Sequence, residues 1–202
     1  MAPHEHYPGD CELTQFLRSK AEAEKSDTEL TAKAARIRLL LLDVDGVLTD
    51  GSIPYTASGE EIKTFNSRDG FGLNLLRKAG IEVGLITARK SEALVRRAAD
   101  LGIVHLHQGA RYKVEAFAEI SQAVGVDARH TAFMGDDWLD LPLLGMVGLA
   151  VTVADAVPEV RDAAHLITIN PGGRGAVREV CDLILQAQGL KAGLLAEYIT
   201  RR

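Results

Sequence analysis

The fold class that this sequence predicts follows from the stretch Leu39–Gly51, which reads LLLLDVDGVLTDG. Its four leucines form a continuous apolar run, which is typical of a strand buried on both faces of a parallel sheet. The run ends directly before Asp43 and Asp45. Because ligands of open α/β sheets bind beyond the carboxyl ends of such strands, the sequence places two carboxylates where chemistry is expected.

The two aspartates are two residues apart, so their side chains project to the same side if the extended geometry continues past the strand. Their repulsion needs compensation by a divalent cation, a lysine, or a proton held on one carboxyl with a raised pKa. Such a pair can transfer phosphate: one aspartate attacks phosphorus, and the other protonates the leaving oxygen. An isolated Asp-Val-Asp-Gly also suits an Asx-turn with a helix cap, but the preceding strand and the continuation VLTDG weigh against that.

This arrangement resembles the first motif, DxDGxxTD, of the haloacid dehalogenase-like superfamily, whose members are mostly Mg²⁺-dependent phosphatases. The resemblance implies three further motifs, each after a predicted strand. The second follows the strand-like run Ile81–Ile86 and consists of Thr87, Ala88 and Arg89. The hydroxyl and the following N–H groups could hold a phosphate at a helix N-terminus. Related proteins usually carry glycine where this chain has Ala88.

Lys113 matches the third motif, at the start of a helix-like segment over 111–125 and after the strand-like run Ile103–His107. A lysine there can neutralise Asp43 and an incoming phosphate together. By itself, it also fits a solvent-facing lysine on a helix surface.

The fourth motif lies in Thr131–Asp140, where a predicted strand ends at Gly135. By resemblance Asp136 is a metal ligand, and Mg²⁺ would also bind Asp43 and the backbone carbonyl of Asp45. Asp137 and Asp140 could orient waters or Lys113. Their alternative interpretation is as helix N-terminal carboxylates, which the helix dipole favours.

Length and composition fit one doubly wound, Rossmann-like parallel sheet. The chain has 202 residues, of which 47% are hydrophobic and 25% charged, and strand and helix patterns alternate through most of it. We expect a partly helical N-terminal extension at 1–34, a phosphatase domain at 35–188 and a C-terminal helix or tail at 189–202.

Several classes of partner and location are excluded at this level. No apolar run reaches the ~20 residues that a membrane helix requires, and no signal-peptide pattern opens the chain. Cys11 and Cys181 are far apart, which offers no disulfide framework and favours a cytoplasmic location. The net charge is −5 without a Lys/Arg cluster, so nucleic acid is not an expected partner.

The segment between the first motif and the first long helix is where related enzymes insert a cap domain. Here, Ser52–Tyr55 and Glu61–Phe65 predict a short β-hairpin, too small to be a separate cap, with Pro54 placing its strand at an edge. An exposed edge invites pairing with another chain, and a capless site needs shielding from water. The sequence therefore predicts self-association, with a neighbouring subunit covering the site.

Six segments give a narrower resemblance, to the 3-deoxy-D-manno-octulosonate (Kdo) 8-phosphate phosphatase family, covering about Ile37 to Leu185. They are DVDGVLTDG, GEEIKTFNSRDGFG, LITARKS, QGARYK, GDDWLDLP and GGRGAVREVCDLIL. The resemblance implies a capless homotetramer that releases phosphate from a sugar acid of lipopolysaccharide biosynthesis. It implies Asp43 as the nucleophile and Asp45 as the general acid and base.

The same resemblance suggests substrate-binding residues. The motif FNSRDGFG would frame the pocket through Asn66, Arg68, Asp69 and Gly70, with Arg89 and Ser91 beside the phosphate loop. A sugar acid carries a second anion, which an arginine reads well. For any one candidate a surface salt bridge is the more common role of an arginine, and the candidates are Arg68, Arg89, Arg174 and Arg178. The glycines of Pro171–Gly175 suit either a close approach to a ligand or subunit, or a flexible turn.

Two alternatives remain open. One is a phosphatase for a nine-carbon sugar acid, such as KDN or acylneuraminate 9-phosphate. The other is a non-catalytic oligomeric interaction module of the same fold. The presence together of Asp43, Asp45, Lys113 and Asp136 argues against the second, because a binding module has no use for mutually repelling carboxylates.

Overall fold

A computed structural model describes residues 27–200, and in that range six parallel strands form one sheet. The strands are β1 (Leu39–Leu42), β2 (Glu82–Thr87), β3 (His105–Gln108), β4 (Thr131–Gly135), β5 (Leu149–Thr152) and β6 (Leu166–Ile167). The helices are α1 (27–34), α2 (Ser67–Lys78), α3 (Glu92–Asp100), α4 (Lys113–Val124), α5 (Leu141–Leu144), α6 (Pro158–Ala163), α7 (Ala176–Ala187) and α8 (Lys191–Thr200). The predicted doubly wound parallel sheet is confirmed.

Strand β1 lies in the middle of the sheet, in the order β3, β2, β1, β4, β5, β6. Its last residue, Leu42, is paired with Leu85 of β2 and Met134 of β4, so three strands end at one edge. The chain builds outward from β1 to β3 on one side and from β4 to β6 on the other. The edge between β1 and β4 is therefore the switch point, where doubly wound sheets bind ligands.

The core is built from the strands and the inner faces of the helices. All four leucines of β1 and all of β5 are fully buried, as a sheet flanked by helices requires. Helices α2 and α7 pack on one another, α8 packs on α7, and α5 contacts α4 and α6. Helix α8 is also tied to α2 by the ion pair between Lys78 and Glu197 and by edge-to-face packing of Phe71 on Tyr198.

The glycine-rich segment Pro171–Gly175 packs against the loop after β1. A Cβ at Gly172 would lie 1.8 Å from the carbonyl oxygen of Gly46, so only glycine fits there. The N–H of Gly173 donates to the carbonyl of Val47 at 2.9 Å. These glycines therefore allow a close backbone approach, but to the chain's own first motif, which neither interpretation of the sequence included.

Residues 52–65, here called the flap, contain less β-structure than predicted. Instead of two strands there is an isolated antiparallel bridge between Tyr55 and Glu61, with the N–H of Ile62 donating to Pro54 at 3.0 Å. The two-stranded expectation is not confirmed beyond this bridge, in keeping with the marginal stability of an isolated two-stranded ribbon in water.

The two predicted terminal regions are described in part. Of the expected extension at 1–34, residues 27–34 form α1, whose Ala34 is fully buried in the core. Residues 1–26 lie outside the described range. The predicted C-terminal helix is present as α8, and residues 201 and 202 also lie outside that range.

Candidate active site

Three carboxylates meet where β1 and β4 end. Asp43 follows β1, Asp136 follows β4, and Asp140 ends the 3₁₀ turn Trp138–Asp140. One oxygen of each lies within 4.8 Å of the others. Among residues 27–200, these three carboxylates are the group close enough together to share a metal ion. The pairing of Leu42 with Met134 explains why Asp43 and Asp136 come together, although they are far apart in sequence.

Lys113 is the cation of this cluster, at the first residue of α4. Its Nζ lies 2.8 Å from Asp43 Oδ2 and 2.5 Å from Asp140 Oδ1, and its side chain is only 3% exposed. Burial disfavours the ammonium, but the charges of Asp43 and Asp140 outweigh burial and raise the pKa of Lys113. The lysine is therefore charged at neutral pH, and its solvent-facing interpretation is wrong.

Two of these carboxyl groups, Asp43 and Asp136, have raised pKa values. Burial raises the pKa of Asp43 to about 6, although Lys113 and the N–H of Val44, which donates to Asp43 Oδ1 at 2.7 Å, oppose the shift. Burial, followed by the charges of Asp43 and Asp140, raises the pKa of Asp136 to about 8. For both groups burial is the largest cause, and the charge of Asp140 adds to it.

A divalent cation fits this cluster. Three carboxylates face one ammonium, which leaves two uncompensated negative charges when all are ionised. A Cβ at Gly46 would lie 2.0 Å from Asp136 Oδ2, so glycine at this position leaves room for the carboxylate beside the loop backbone. Carboxylate oxygens are the ligands that Mg²⁺ prefers.

Asp45 has a separate set of partners. Strand β1 ends at Leu42 and the chain turns, so the side chain of Asp45 reaches the flap instead of Lys113. Its Oδ1 accepts a hydrogen bond from Lys63, and its Oδ2 lies 3.6 Å from Nε of Arg89. The predicted repulsion between the two aspartates is thus met by two different lysines, one from α4 and one from the flap.

The end of β2 brings further predicted residues to the same edge. Thr87 is buried and its Oγ1 accepts from the N–H of Arg89 at 3.2 Å, while Ala88 is exposed. Among the described non-glycine residues none has a positive φ, so Ala88 replaces glycine without left-handed strain. Arg89 donates to Glu61 at 2.9 Å and to Tyr55 at 3.1 Å, and Ser91 caps α3.

Comparison with known proteins agrees with this geometry. A model of haloacid dehalogenase-like hydrolases matches residues 102–177. The Kdo 8-phosphate phosphatase of Salmonella typhi is 49% identical over 162 residues, which cover 80% of this chain and 86% of that protein. The chain belongs to the Kdo 8-phosphate phosphatase family.

Solved structures of this family have the same fold. The Kdo 8-phosphate phosphatase of Yersinia pestis aligns with a TM-score of 0.81 at 47% identity, covering 82% of this chain and 89% of that one. The Kdo 8-phosphate phosphatase of Moraxella catarrhalis aligns with a TM-score of 0.82 at 40% identity, covering 84% of this chain and 98% of that one. That protein was crystallised with magnesium, phosphate and Kdo.

The motif FNSRDGFG forms the start of α2, beside the glycine-rich segment Pro171–Gly175. Asn66 caps α2 and its Nδ2 donates to the carbonyl of Gly173 at 3.4 Å, while Arg68 is exposed. Asp69 is buried and accepts from the N–H groups of Gly175 and Arg178, so it holds the start of α7. Both oxygens of Asp69 thus accept backbone N–H groups.

The adjoining glycine is also a packing residue here. Gly70 is buried, and a Cβ there would lie 2.3 Å from the guanidinium of Arg97. Its place in the fold is set by that close contact between α2 and α3.

The remaining candidates divide between the site and the surface. Asp137 caps the 3₁₀ turn through the N–H of Trp138, as its alternative interpretation holds. Asp140 combines both interpretations, since it binds Lys113 and accepts from the N–H groups of Asp136 and Asp137. Arg174 pairs with Asp50 and Arg178 with Asp182, in exposed or half-exposed salt bridges.

Sequence reasoning missed Lys63. It lies in the segment GEEIKTF, where a lysine in a predicted edge strand is ordinarily a solvated residue. The structure buries it against Asp45, with 2% of its side chain exposed. No local pattern could have identified it, because its partner is 18 residues away.

Proposed function

We propose that this protein is a Mg²⁺-dependent phosphatase that hydrolyses Kdo 8-phosphate to Kdo and inorganic phosphate. The observation that carries the proposal is the cluster of Asp43, Lys113 and Asp136 at the switch point of a sheet shared with Kdo 8-phosphate phosphatases. A nucleophilic carboxylate beside a charged lysine and a metal site is what phosphoryl transfer requires.

Asp43 and Asp136 would hold the metal through side-chain oxygens, and the backbone carbonyl of Asp45 is proposed as a further ligand. When bound, Mg²⁺ supplies counter-charge for the oxygens of the transferring phosphoryl group. Asp140 is proposed to position Lys113, since one of its oxygens binds that ammonium and the other accepts backbone N–H groups. Asp137 is proposed to stabilise the same turn.

In the first step an oxygen of Asp43 attacks phosphorus in line and the bond from phosphorus to the sugar oxygen breaks. The electron pair of that bond goes to the sugar oxygen, which receives a proton from Asp45. Lys113, held 2.8 Å from Asp43, compensates the charge of the attacking carboxylate and of the phosphate.

In the second step water attacks the aspartyl-phosphate and releases inorganic phosphate. Asp45, ionised after the first step, takes the proton of that water. The hydroxyl of Thr87 and the N–H of Ala88 are proposed to hold the phosphate, while the N–H of Arg89, which donates to Thr87 Oγ1, orients that hydroxyl.

Among the four arginine candidates we propose Arg89 as the reader of the sugar carboxylate. It lies 3.6 Å from Asp45, whereas Arg174 and Arg178 pair with aspartates elsewhere. Asn66, Arg68, Asp69 and Gly70 are proposed to support the pocket wall through the start of α2.

We also propose a cytoplasmic homotetramer that acts in lipopolysaccharide biosynthesis. The flap carries three exposed apolar side chains, Ile53, Tyr55 and Ile62, which suit a contact with a neighbouring subunit. Analytical ultracentrifugation of the full chain tests the subunit number, and a monomer would overturn this part. No helix in the described part of the chain is both long enough and apolar enough to span a membrane.

The test of the activity is phosphate release from Kdo 8-phosphate, KDN 9-phosphate and ordinary sugar phosphates at matched concentration with Mg²⁺. Asp43→Asn serves as the blank. A strong preference for Kdo 8-phosphate is expected. A preference for the nine-carbon substrate would reassign the pocket, and no release from any phosphate ester would revive the non-catalytic module.

A further inference from the structure

The flap contributes one buried cation to the site. Lys63 has 2% of its side chain exposed, and its Nζ donates to Oδ1 of Asp45. Its second carboxylate neighbour is Glu61, at 3.6 Å. Burial removes the favourable hydration of a lysine ammonium, so a buried lysine is stabilised by specific partners. Lys63 has no part in the mechanism described above.

The two oxygens of Asp45 differ in their surroundings. Oδ1 is occupied by Lys63, whereas Oδ2 is buried and has no hydrogen-bond partner within residues 27–200. Nε of Arg89, 3.6 Å from Oδ2, likewise lacks a hydrogen-bond partner there. A carboxyl with one oxygen fixed and the other unbonded has one oxygen available for a proton.

We propose that Lys63 is a positioning residue for Asp45: it holds Oδ1, so that Oδ2 is the oxygen that delivers the proton to the leaving sugar oxygen. This inference rests on the proposed function, in which Asp45 is the general acid. In the transfer, the Oδ2–H bond breaks as the proton bonds to the sugar oxygen, and Lys63 keeps all its protons. Lys63 touches Asp45 and not the reacting phosphorus.

Glu61 provides the second support for this arrangement. It lies 3.6 Å from Lys63 and accepts from Arg89 at 2.9 Å, so it bridges the two cations that face Asp45. Residues 61 and 63 are two apart in an extended segment, which places their side chains on the same side. The bridge between Tyr55 and Glu61 fixes that segment at its start.

The experiment compares two leaving groups in a Lys63→Met variant of the full chain. Proton donation matters for a sugar alkoxide and little for a nitrophenolate, which leaves without a proton. We expect kcat/KM for Kdo 8-phosphate to fall by about 10- to 100-fold and that for p-nitrophenyl phosphate by less than about 3-fold. The ratio kcat/KM reports the steps up to phosphoryl transfer, so water attack on the intermediate does not enter.

Two further variants complete the test. Lys63→Arg keeps the charge in a different geometry. We expect its kcat/KM to fall by about 3- to 10-fold for Kdo 8-phosphate and to stay unchanged for p-nitrophenyl phosphate. Lys78→Met removes a lysine from the surface pair with Glu197 and is expected to leave kcat/KM unchanged for both substrates. If Lys63→Met does not fold, the arginine variant carries the comparison.

An equal loss on both substrates would overturn the inference, because it would mean that Lys63 only stabilises the site. No loss on either substrate would overturn it too. If wild-type protein ignores Kdo 8-phosphate but cleaves another alkyl phosphate, the proposed substrate fails alone. The same leaving-group comparison with that alkyl phosphate then tests Lys63.

Discussion

The two aspartates proposed as catalytic, Asp43 and Asp45, are supported by different parts of the molecule. Asp43 is held by elements of the sheet: it follows β1, lies beside the end of β4 and pairs with Lys113 at the start of α4. Asp45 is held by the flap, where Lys63 and Glu61 follow a turn with one isolated β-bridge. Strand β1 is hydrogen-bonded to a strand on each side, whereas the flap is hydrogen-bonded within its own turn, as from Ile62 to Pro54.

In the proposed mechanism, this difference separates two tasks. Attack on phosphorus is the same for every phosphate monoester, and its residues lie on rigid elements, which hold catalytic geometry most precisely. The leaving group differs between substrates, and the residues around Asp45 come from the segment that is easiest to vary. Attack on phosphorus is therefore assigned to Asp43 and the sheet, and protonation of the leaving group to Asp45 and the flap.

The largest expected effect is the loss of the nucleophile. Asp43→Asn should lower phosphate release from Kdo 8-phosphate by at least about 10³-fold, because an amide cannot form the acyl phosphate. Its circular dichroism spectrum and subunit number should match wild type. Retained turnover would contradict the role of Asp43 and with it the contrast between the two aspartates.

The second-largest effect is expected for Asp45→Asn, and its size should depend on the leaving group of the substrate. We expect about a 10²- to 10³-fold loss of kcat/KM for Kdo 8-phosphate and less than about 10-fold for p-nitrophenyl phosphate, because nitrophenolate needs no acid. Steady-state kinetics on both substrates measures this. Equal losses would mean that the flap cluster does not serve the leaving group.

A third prediction concerns stability in the sheet-based cluster. Lys113→Met leaves Asp43 and Asp140 without their buried cation, and should lower the free energy of unfolding of metal-free protein by about 3 kcal/mol. Urea unfolding at neutral pH measures this decrease. Lys78→Met is the control, and its free energy of unfolding should fall by less than about 1 kcal/mol. Similar effects of the two variants would show that Lys113 is not the buried partner described.

The smallest expected effect is a pH dependence of magnesium binding. The folded-state pKa values of Asp43, about 6, and Asp136, about 8, lie above their unfolded values. Metal-free protein therefore loses stability as the pH rises from about 4 to 8, where the unfolded chain has already released these protons. Magnesium removes this penalty by binding the ionised carboxylates.

The increase in Tm on adding Mg²⁺ should accordingly be larger at pH 8 than at pH 6, by several °C. Differential scanning calorimetry with and without the ion measures it, and Asp136→Asn should flatten the difference. A larger increase at pH 6 would contradict the assignment of these carboxylates to the metal.

Much of the sheet-based cluster could be predicted from the sequence. The apolar run before Asp43, the strand before Asp136 and the start of α4 at Lys113 are local patterns, and each is confirmed as an element of the fold. The roles of these residues stay predictions. The flap could be predicted only in outline, because its two-stranded pairing depends on support that the fold does not provide.

Asp69 and Lys63 show what local patterns do not contain. Asp69 is an ordinary acidic residue in the first turn of a helix, yet its carboxylate caps a different helix, α7, at Gly175 and Arg178. Lys63 is an ordinary edge lysine, yet it is buried against Asp45. Both partners are distant in sequence, so no periodicity or motif spacing predicts either contact.

The sequence by itself determined the runs that form β1 to β4 and the carboxylates that follow β1 and β4, because hydrophobic runs and strand ends are local properties. Only the tertiary structure decided which cation each carboxylate receives, Lys113 for Asp43 and Lys63 for Asp45. The physical reason is that a buried charge is stabilised by whichever opposite charge the packing brings within a few ångströms, and packing joins residues that the sequence separates.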